Sequence, residues 1–290
     1  FRGDVILLHS SLLDLGKMKD VAAKDAPIKV ADAIIEYLGP EGTLVCPGFS
    51  WEFYRGNSYS VHDTPCEPWM GILNENLRKR KGSTRTCHAG QSLVCYGKLA
   101  KKLADESLNF ESAWDKRGPV GLMEANNAKT VMLGPPIWGS CSIIHYVEEE
   151  LNVPYRYWKT FTGQYKGNNS NAFETKSYQF FARKLEPFEW RTRMEPVEVL
   201  MKDANVLTSA KLGKGSIVTF SWSTFIPTLR AKIRADPYFL AIALPPIAKE
   251  VEVPTVNLAI PADTFKSWLD NIPHKTKDIL GLTKIVRAES

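Results

Sequence analysis

Three short stretches of this 290-residue chain combine the residue types that move protons and hold anions. The first is Ser142-Ile143-Ile144-His145-Tyr146-Val147-Glu148-Glu149-Glu150. On a helix, positions three and four apart share a face, so Glu148 or Glu149 stands beside His145. A carboxylate against an imidazole fixes its tautomer and raises its basicity, which suits His145 to general-base work. A core histidine above a solvated acidic edge has the same spacing. The second stretch is His9-Ser10-Ser11-Leu12-Leu13-Asp14-Leu15-Gly16, which follows the apolar run Val5-Ile6-Leu7-Leu8. Ligands collect at the carboxyl ends of parallel strands. A turn there offers N–H groups and hydroxyls to a phosphate or pyrophosphate. A capped helix with buried serines is the plainer reading of the same residues. The third is Arg85-Thr86-Cys87-His88-Ala89-Gly90-Gln91-Ser92. Arg85 suits a phosphate, and His88 and Ser92 suit an amide or phosphate oxygen. A purely structural histidine fits this stretch as well.

Other chemistries lack their patterns. There is no H-E-x-x-H, no paired cysteine motif for zinc, no G-x-G-x-x-G after a strand and no G-x-S-x-G elbow. Lys211-Leu212-Gly213-Lys214-Gly215-Ser216 lacks the upstream glycine of a phosphate loop. A thiol hydrolase built on Cys87 or Cys95 with His88 is a weak reading, because neighbours on a strand point apart.

The elements that must position these residues read as an α/β chain. Val5–Leu8, Thr43–Cys46, Leu93–Tyr96 and Thr130–Gly134 read as strands. Val30–Leu38, Gly71–Lys79, Ala100–Glu106, Ser142–Leu151, Lys176–Leu185, Val197–Asn205 and Phe225–Ile233 read as helices. Strand, helix and strand within the first stretch of chain mark a βαβ unit. The expected fold class is a central, mostly parallel or mixed sheet flanked by helices (α/β/α). Residues 50–68 lack periodicity and read as a loop of the kind that lines a site.

Composition bounds the rest. The apolar share is 44% and the charged share 24%, so a sizeable core is available. A net charge of +5, with no basic block longer than Arg78-Lys79-Arg80-Lys81, is too thin for a nucleic-acid binder. No apolar run reaches membrane-spanning length. Five unpaired-looking cysteines point to a reducing cytoplasm. No leader is evident, although the chain opens on Phe1-Arg2 rather than methionine.

The order of words along the chain adds a resemblance. Gly3-Asp4 leads into Val5–Leu12 and Leu15-Gly16. Leu38-Gly39-Pro40-Glu41-Gly42-Thr43 through Pro47 follows, then Gly71-Ile72-Leu73 with Glu75 and Arg78. Arg85, His88, Ser92 and Gly97 match an R-x-x-H-P-x-x-S segment. Leu133-Gly134, His145-x-x-Glu148 and Val153-Pro154-Tyr155-Arg156 complete the series. In these words the chain resembles the aminoglycoside 3-N-acetyltransferase family, with its antibiotic acetyltransferase fold, from Gly3 to about Phe161.

The resemblance implies a single acyltransferase domain over residues 1–290. Residues 157–245 would be a less well matched helical part and 246–290 a C-terminal extension. It implies acetyl-CoA or another acyl-CoA as co-substrate, no metal, and a small-molecule amine as partner. Neither nucleic acid nor membrane is expected, and a homodimer is compatible. His9, Ser10, Ser11, Leu12, Leu13 and Gly16, with Arg85, His88 and Ser92, would hold the coenzyme. His145 would be the general base and Glu148 its orienter or a contact to the substrate ammonium. Glu52, Asp63 and Tyr155 would meet the acceptor. Three departures bear on that acceptor: Ala89 replaces the usual proline, Trp138-Gly139-Ser140-Cys141-Ser142 lacks the usual Asn-Thr ahead of the histidine, and the loop from Phe49 to Glu67 carries only Glu52, Asp63 and Glu67 as acids. A polycationic aminoglycoside favours a denser acidic pocket. An amino-sugar nucleotide of surface-polysaccharide synthesis is therefore the alternative acceptor. A coenzyme-binding protein without catalysis is the alternative of another class.

Overall fold

The expected βαβ unit opens the fold of this computed structural model, which describes residues 2–135, 140–168 and 170–244. Strand β1 is Val5–Ser10, followed by the single-turn helix α1, Leu12–Leu15. Helix α2, Ala26–Leu38, returns the chain to β2, Thr43–Pro47, which lies parallel to β1 with Val5 opposite Thr43. After β3, Tyr59–Ser60, and α3, Ile72–Lys79, come β4, Thr84–Arg85, and β5, Leu93–Gly97. Helices α4, Ala100–Glu106, and α5, Pro119–Ala125, precede β6, Lys129–Leu133. Helix α6 is Ile144–Glu150. Strands β7, Arg156–Lys166, and β8, Glu174–Arg183, form a long antiparallel pair, with β9 at Glu189–Thr192. Helix α7, Glu195–Asp203, strands β10, Thr208–Leu212, and β11, Gly215–Ser221, helix α8, Trp222–Ala235, and β12, Ala241–Leu244, complete the described chain.

The main sheet is mixed, in the order β10-β11-β6-β1-β2-β5-β4. Its centre, β6-β1-β2, is parallel, and the strands on either side run antiparallel. Alternation in β1 sorts the core. Ile6 and Leu8 join Leu44, Cys46 and Val94 against α2 and α3, where Leu38, Leu73 and Leu77 are buried. Val5 and Leu7 face the opposite way with Val45 and Cys95, in a larger cluster that takes in α4, α5, α6 and α8. Each fully buried Leu of this kind contributes about 1.5–3 kcal/mol. The sheet thus carries helices on both faces, as the α/β/α reading expects.

Two expectations need correction. Lys176–Leu185 is not helical: it is mostly β8, paired with β7 from Arg156↔Arg183 to Tyr165↔Glu174. Tyr178 and Phe181 are both buried, and they belong to different clusters. Aromatic residues on both faces erase the polar–apolar alternation that marks a strand. Residues 157–245 therefore form a mixture of strands and helices, not a helical part. The expected extension, 246–290, lies outside the described residues. Among the described residues, no helix is long and apolar enough to cross a membrane.

Candidate active site

Helix α6 is rotated by its apolar side chains. Ile144 and Val147 are buried, and that rotation turns Glu148 inward as well. Glu148 has no exposed surface, so its charge needs partners. It has three. His145 Nδ1 lies 2.7 Å from Oε2, Arg156 Nη2 lies 2.9 Å from Oε2, and the Tyr155 hydroxyl donates to Oε1 at 2.7 Å. Burial pushes this carboxyl up, but the Arg156 guanidinium, His145 and Tyr155 outweigh it and hold it down at about 2. Glu149, the other candidate, instead accepts a hydrogen bond from Ser112 at 2.6 Å.

A carboxylate on Nδ1 places the ring proton there and leaves Nε2 as the basic nitrogen. Nε2 has no hydrogen-bond partner among the described residues. The His145 side chain is 31% exposed and lines a cleft of about 660 Å³. Trp114 packs edge-on to the imidazole at 5.8 Å. Arg156, the first residue of β7, also donates to the Phe181 carbonyl at 2.9 Å, which ties the dyad to the β7–β8 pair.

The cleft lies at the carboxyl ends of the parallel strands, with His9 and Ser10 from β1 and Pro47 from β2 in its wall. His9 is buried, lies 3.3 Å from Ser142 Oγ through Nε2, and is pushed down to about 4 by burial. It is neutral at pH 7. Ser10 Oγ, Asn74 Oδ1 and Ser140 Oγ are buried without a hydrogen-bond partner among the described residues, and all three residues line the cleft. Asn74 is held in place by its own Nδ2, which donates to the Pro47 carbonyl at 2.8 Å. Gly134 keeps the ends of β1 and β6 close: its φ is +98° and an added Cβ would meet the Ser11 carbonyl oxygen at 2.3 Å.

The expected coenzyme contacts divide. His9, Ser10 and Ser11 line the cleft. Leu12, Leu13 and Gly16 do not: Leu12 packs on the core, Leu13 is 93% exposed, and Gly16 closes α1 against Lys214. Arg85 does not line the cleft. It is buried, with its donors committed to Ser92 Oγ and to the carbonyls of Gly48, Val61 and Thr64. Ser92 Oγ accepts from Arg85 and donates to the Gly48 carbonyl. His88 is likewise committed, since Nδ1 accepts from the Gly90 and Gln91 amides and Nε2 meets the Gln179 carbonyl at 3.2 Å. Its ring is thereby unavailable to Cys87 or Cys95, and burial raises the Cys95 thiol.

The expected acceptor contacts also move. Glu52 pairs with Arg55 and Asn57, and Asp63 with Lys166 and Ser60, both outside the cleft wall. Tyr155 is buried on Glu148 rather than facing the cleft. Asn74, Arg156 and Arg183 are cleft residues to which the sequence assigned no role. Asn74 had a signal: it sits between Leu73 and Leu77 on α3, a polar residue at a buried turn.

A family model described as aminoglycoside 3-N-acetyltransferase matches residues 7–233. The chain belongs to that family. Aminoglycoside N(3)-acetyltransferase III of Acinetobacter baumannii is 28% identical to this family member over 194 residues, 60% of this chain and 65% of that protein. The chain thus spans just under two thirds of that relative. AAC-IIIb, solved as a binary complex with CoASH, superposes with a TM-score of 0.66 at 16% identity, covering 81% of this chain and 91% of that one. A histidine-to-alanine mutant of AAC(3)-IVa, in complex with a gentamicin, gives 0.65 at 18% identity, covering 83% and 85%. At these identities the two structures establish a shared fold. Among the described residues of this family member, no group of three or more His, Cys, Asp or Glu side chains could hold a metal ion.

Proposed function

We propose that this chain transfers an acyl group, acetyl in the simplest case, from coenzyme A to the amine of an amino sugar. One observation carries the reading: the His145–Glu148 dyad, at 2.7 Å, opens from a fully buried carboxylate onto the cleft at the ends of β1 and β2. The AAC-IIIb complex with CoASH supports the donor. The cleft fits it in kind, since Ser10, Asn74 and Ser140 line it with hydroxyl and amide side chains suited to a pantetheine arm, with Phe49 and Met70 as apolar wall.

Bound acyl-CoA supplies an activated thioester carbon that an amine attacks without an enzyme nucleophile. His145 Nε2 takes the proton that the amine loses as the new C–N bond forms. Glu148 stabilises the imidazolium and keeps Nδ1 protonated. As the C–S bond breaks, the imidazolium returns that proton to the departing thiolate. The Ser11 amide is already given to the Leu133 carbonyl at 2.9 Å, so the Ser10 and Ser140 hydroxyls are the candidate donors to the thioester oxygen.

Thiol release from acetyl-CoA tests the reading, against gentamicin, kanamycin, glucosamine and amino-sugar nucleotides. Turnover with at least one amine is expected, and His145→Ala should lower kcat by about 10²–10⁴-fold with little change in coenzyme affinity. Coenzyme binding with no turnover on any amine would favour a binding protein without catalysis. Equal loss of kcat and coenzyme affinity in the variant would make His145 structural.

A further inference from the structure

The wall beside His145 carries positive charge that the dyad does not use. Arg156 and Arg183 are register partners at the end of the β7–β8 pair, and both line the cleft. Like charges directly opposite one another destabilise an antiparallel ladder. Arg156 is neutralised by Glu148. The Arg183 side chain forms no hydrogen bond or ion pair among the described residues. Glu189, whose charge reaches Arg183, is bound by Arg191 at 2.8 Å. Arg183 is exposed at its strand end; partial desolvation lowers its proton affinity, Arg156 and Arg191 press on it as like charges in the same direction, and Glu148 and Glu189 oppose them. None of the described residues lining the cleft is Asp or Glu. Glu52, Glu67 and Asp63, the acids of the nearby loop, are engaged by Arg55 and Lys166. Among the described residues, a polycationic acceptor would thus meet the Arg183 guanidinium and no free carboxylate at the cleft wall.

We propose that Arg183 determines specificity by pairing with a phosphate group on the acceptor, so that the amine transferred to belongs to a phosphorylated amino sugar. This rests on the acyl-transfer reading of the cleft. The planar guanidinium fork matches phosphate oxygens in pairs, and a ligand phosphate would relieve the opposition between Arg156 and Arg183. The other source of phosphate in this cleft is the coenzyme, and the two sources separate by which Michaelis constant responds.

The test compares glucosamine, glucosamine 1-phosphate, glucosamine 6-phosphate and gentamicin as acceptors, with saturating acetyl-CoA. Wild-type kcat/KM is expected to favour a phosphorylated sugar over glucosamine by about tenfold or more. Arg183→Ala should bring that ratio close to one through the KM of the phosphate, and Arg183→Glu should turn the preference toward gentamicin. A wild-type ratio near one, or a wild-type preference for gentamicin, would overturn the proposal. So would an Arg183→Ala effect confined to the KM of acetyl-CoA, which would assign the arginine to the coenzyme. Equilibrium binding of the two sugar phosphates, with glucosamine as control, reads the contact without the reaction. Binding lost in Arg183→Ala with no thiol release in wild type would leave the contact standing and remove the acyl-transfer reading. Binding unaffected by the variant would remove the contact.

Discussion

His145 alone would be an ordinary helical histidine; what sets it apart is the buried carboxylate behind it. Glu148 gains nothing from water, and its charge is held by Arg156, His145 and Tyr155 together. Glu148→Gln keeps the shape and removes the charge, so the imidazolium formed in turnover loses its counter-ion. We expect kcat to fall by about 10²-fold or more, with the KM of acetyl-CoA little changed. A full-rate variant would show that Glu148 only packs. Tyr155→Phe removes one of the three partners, and a smaller loss is expected. The sequence reading reached His145 and narrowed its partner to two glutamates, because i+3 and i+4 share a helix face. Only the rotation imposed by buried Ile144 and Val147 separates them. Arg85 and His88 misled for a related reason: a residue that grips phosphate and one that grips carbonyl oxygens are the same residue in sequence. Burial decides between them, and burial at positions between strands has no local signal.

Among the elements, the strands and helices of the sheet were legible wherever one face met the core. The apolar run in β1, the glycine–proline stop after α2 and the βαβ spacing all translate into structure. The β7–β8 pair was not legible, since Tyr178 and Phe181 bury opposite faces and leave no period of two. The joint between β6 and α8 offers a test at this scale. Trp222 is fully buried, and its Nε1 donates to Thr130 Oγ1 at 2.8 Å. Thr130→Val preserves the volume but orphans the indole N–H, at about 1–3 kcal/mol of stability. Urea unfolding should show that loss with KM values unchanged. A stability equal to wild type would mean that the indole finds another acceptor.

For the molecule as a whole, the buried imidazoles of His9 and His88 cost stability in mild acid, while Glu149, which burial pushes up to about 7, takes up its proton in the same range and partly offsets them. Burial lowers both His9 and His88 from 6.5 to about 4, with hydrogen bonds to backbone carbonyls partly opposing this at His88. The unfolded chain takes up protons between those limits that the native state refuses. Their contribution is therefore complete above about pH 6.5 and is lost as pH falls toward 4. Glu148 adds a second window, complete above 4.5 and lost toward about 2. Urea midpoints should fall through the upper window in wild type, and His88→Asn should flatten that slope. An unchanged slope would mean that His88 titrates alike in both states. Composition foretold a large core, and the clusters on the two faces of the main sheet supply it. Nothing in the composition distinguished the two ends of the cleft.

The β7–β8 pair that supplies Arg156 and Arg183 meets the rest of the fold through Glu148 on Arg156, through His88 and the Glu111 carbonyl on the Gln179 backbone, and through β3 and Asp63 on Tyr165 and Lys166. The residues at the ends of β1 and β2 belong to a different stretch of gene. In evolutionary terms the two halves of the cleft are separable. Recombination that exchanges one hairpin, keeping its Arg156, Lys166 and Gln179 anchors, would hand the proposed proton-transfer dyad a new clientele of amines.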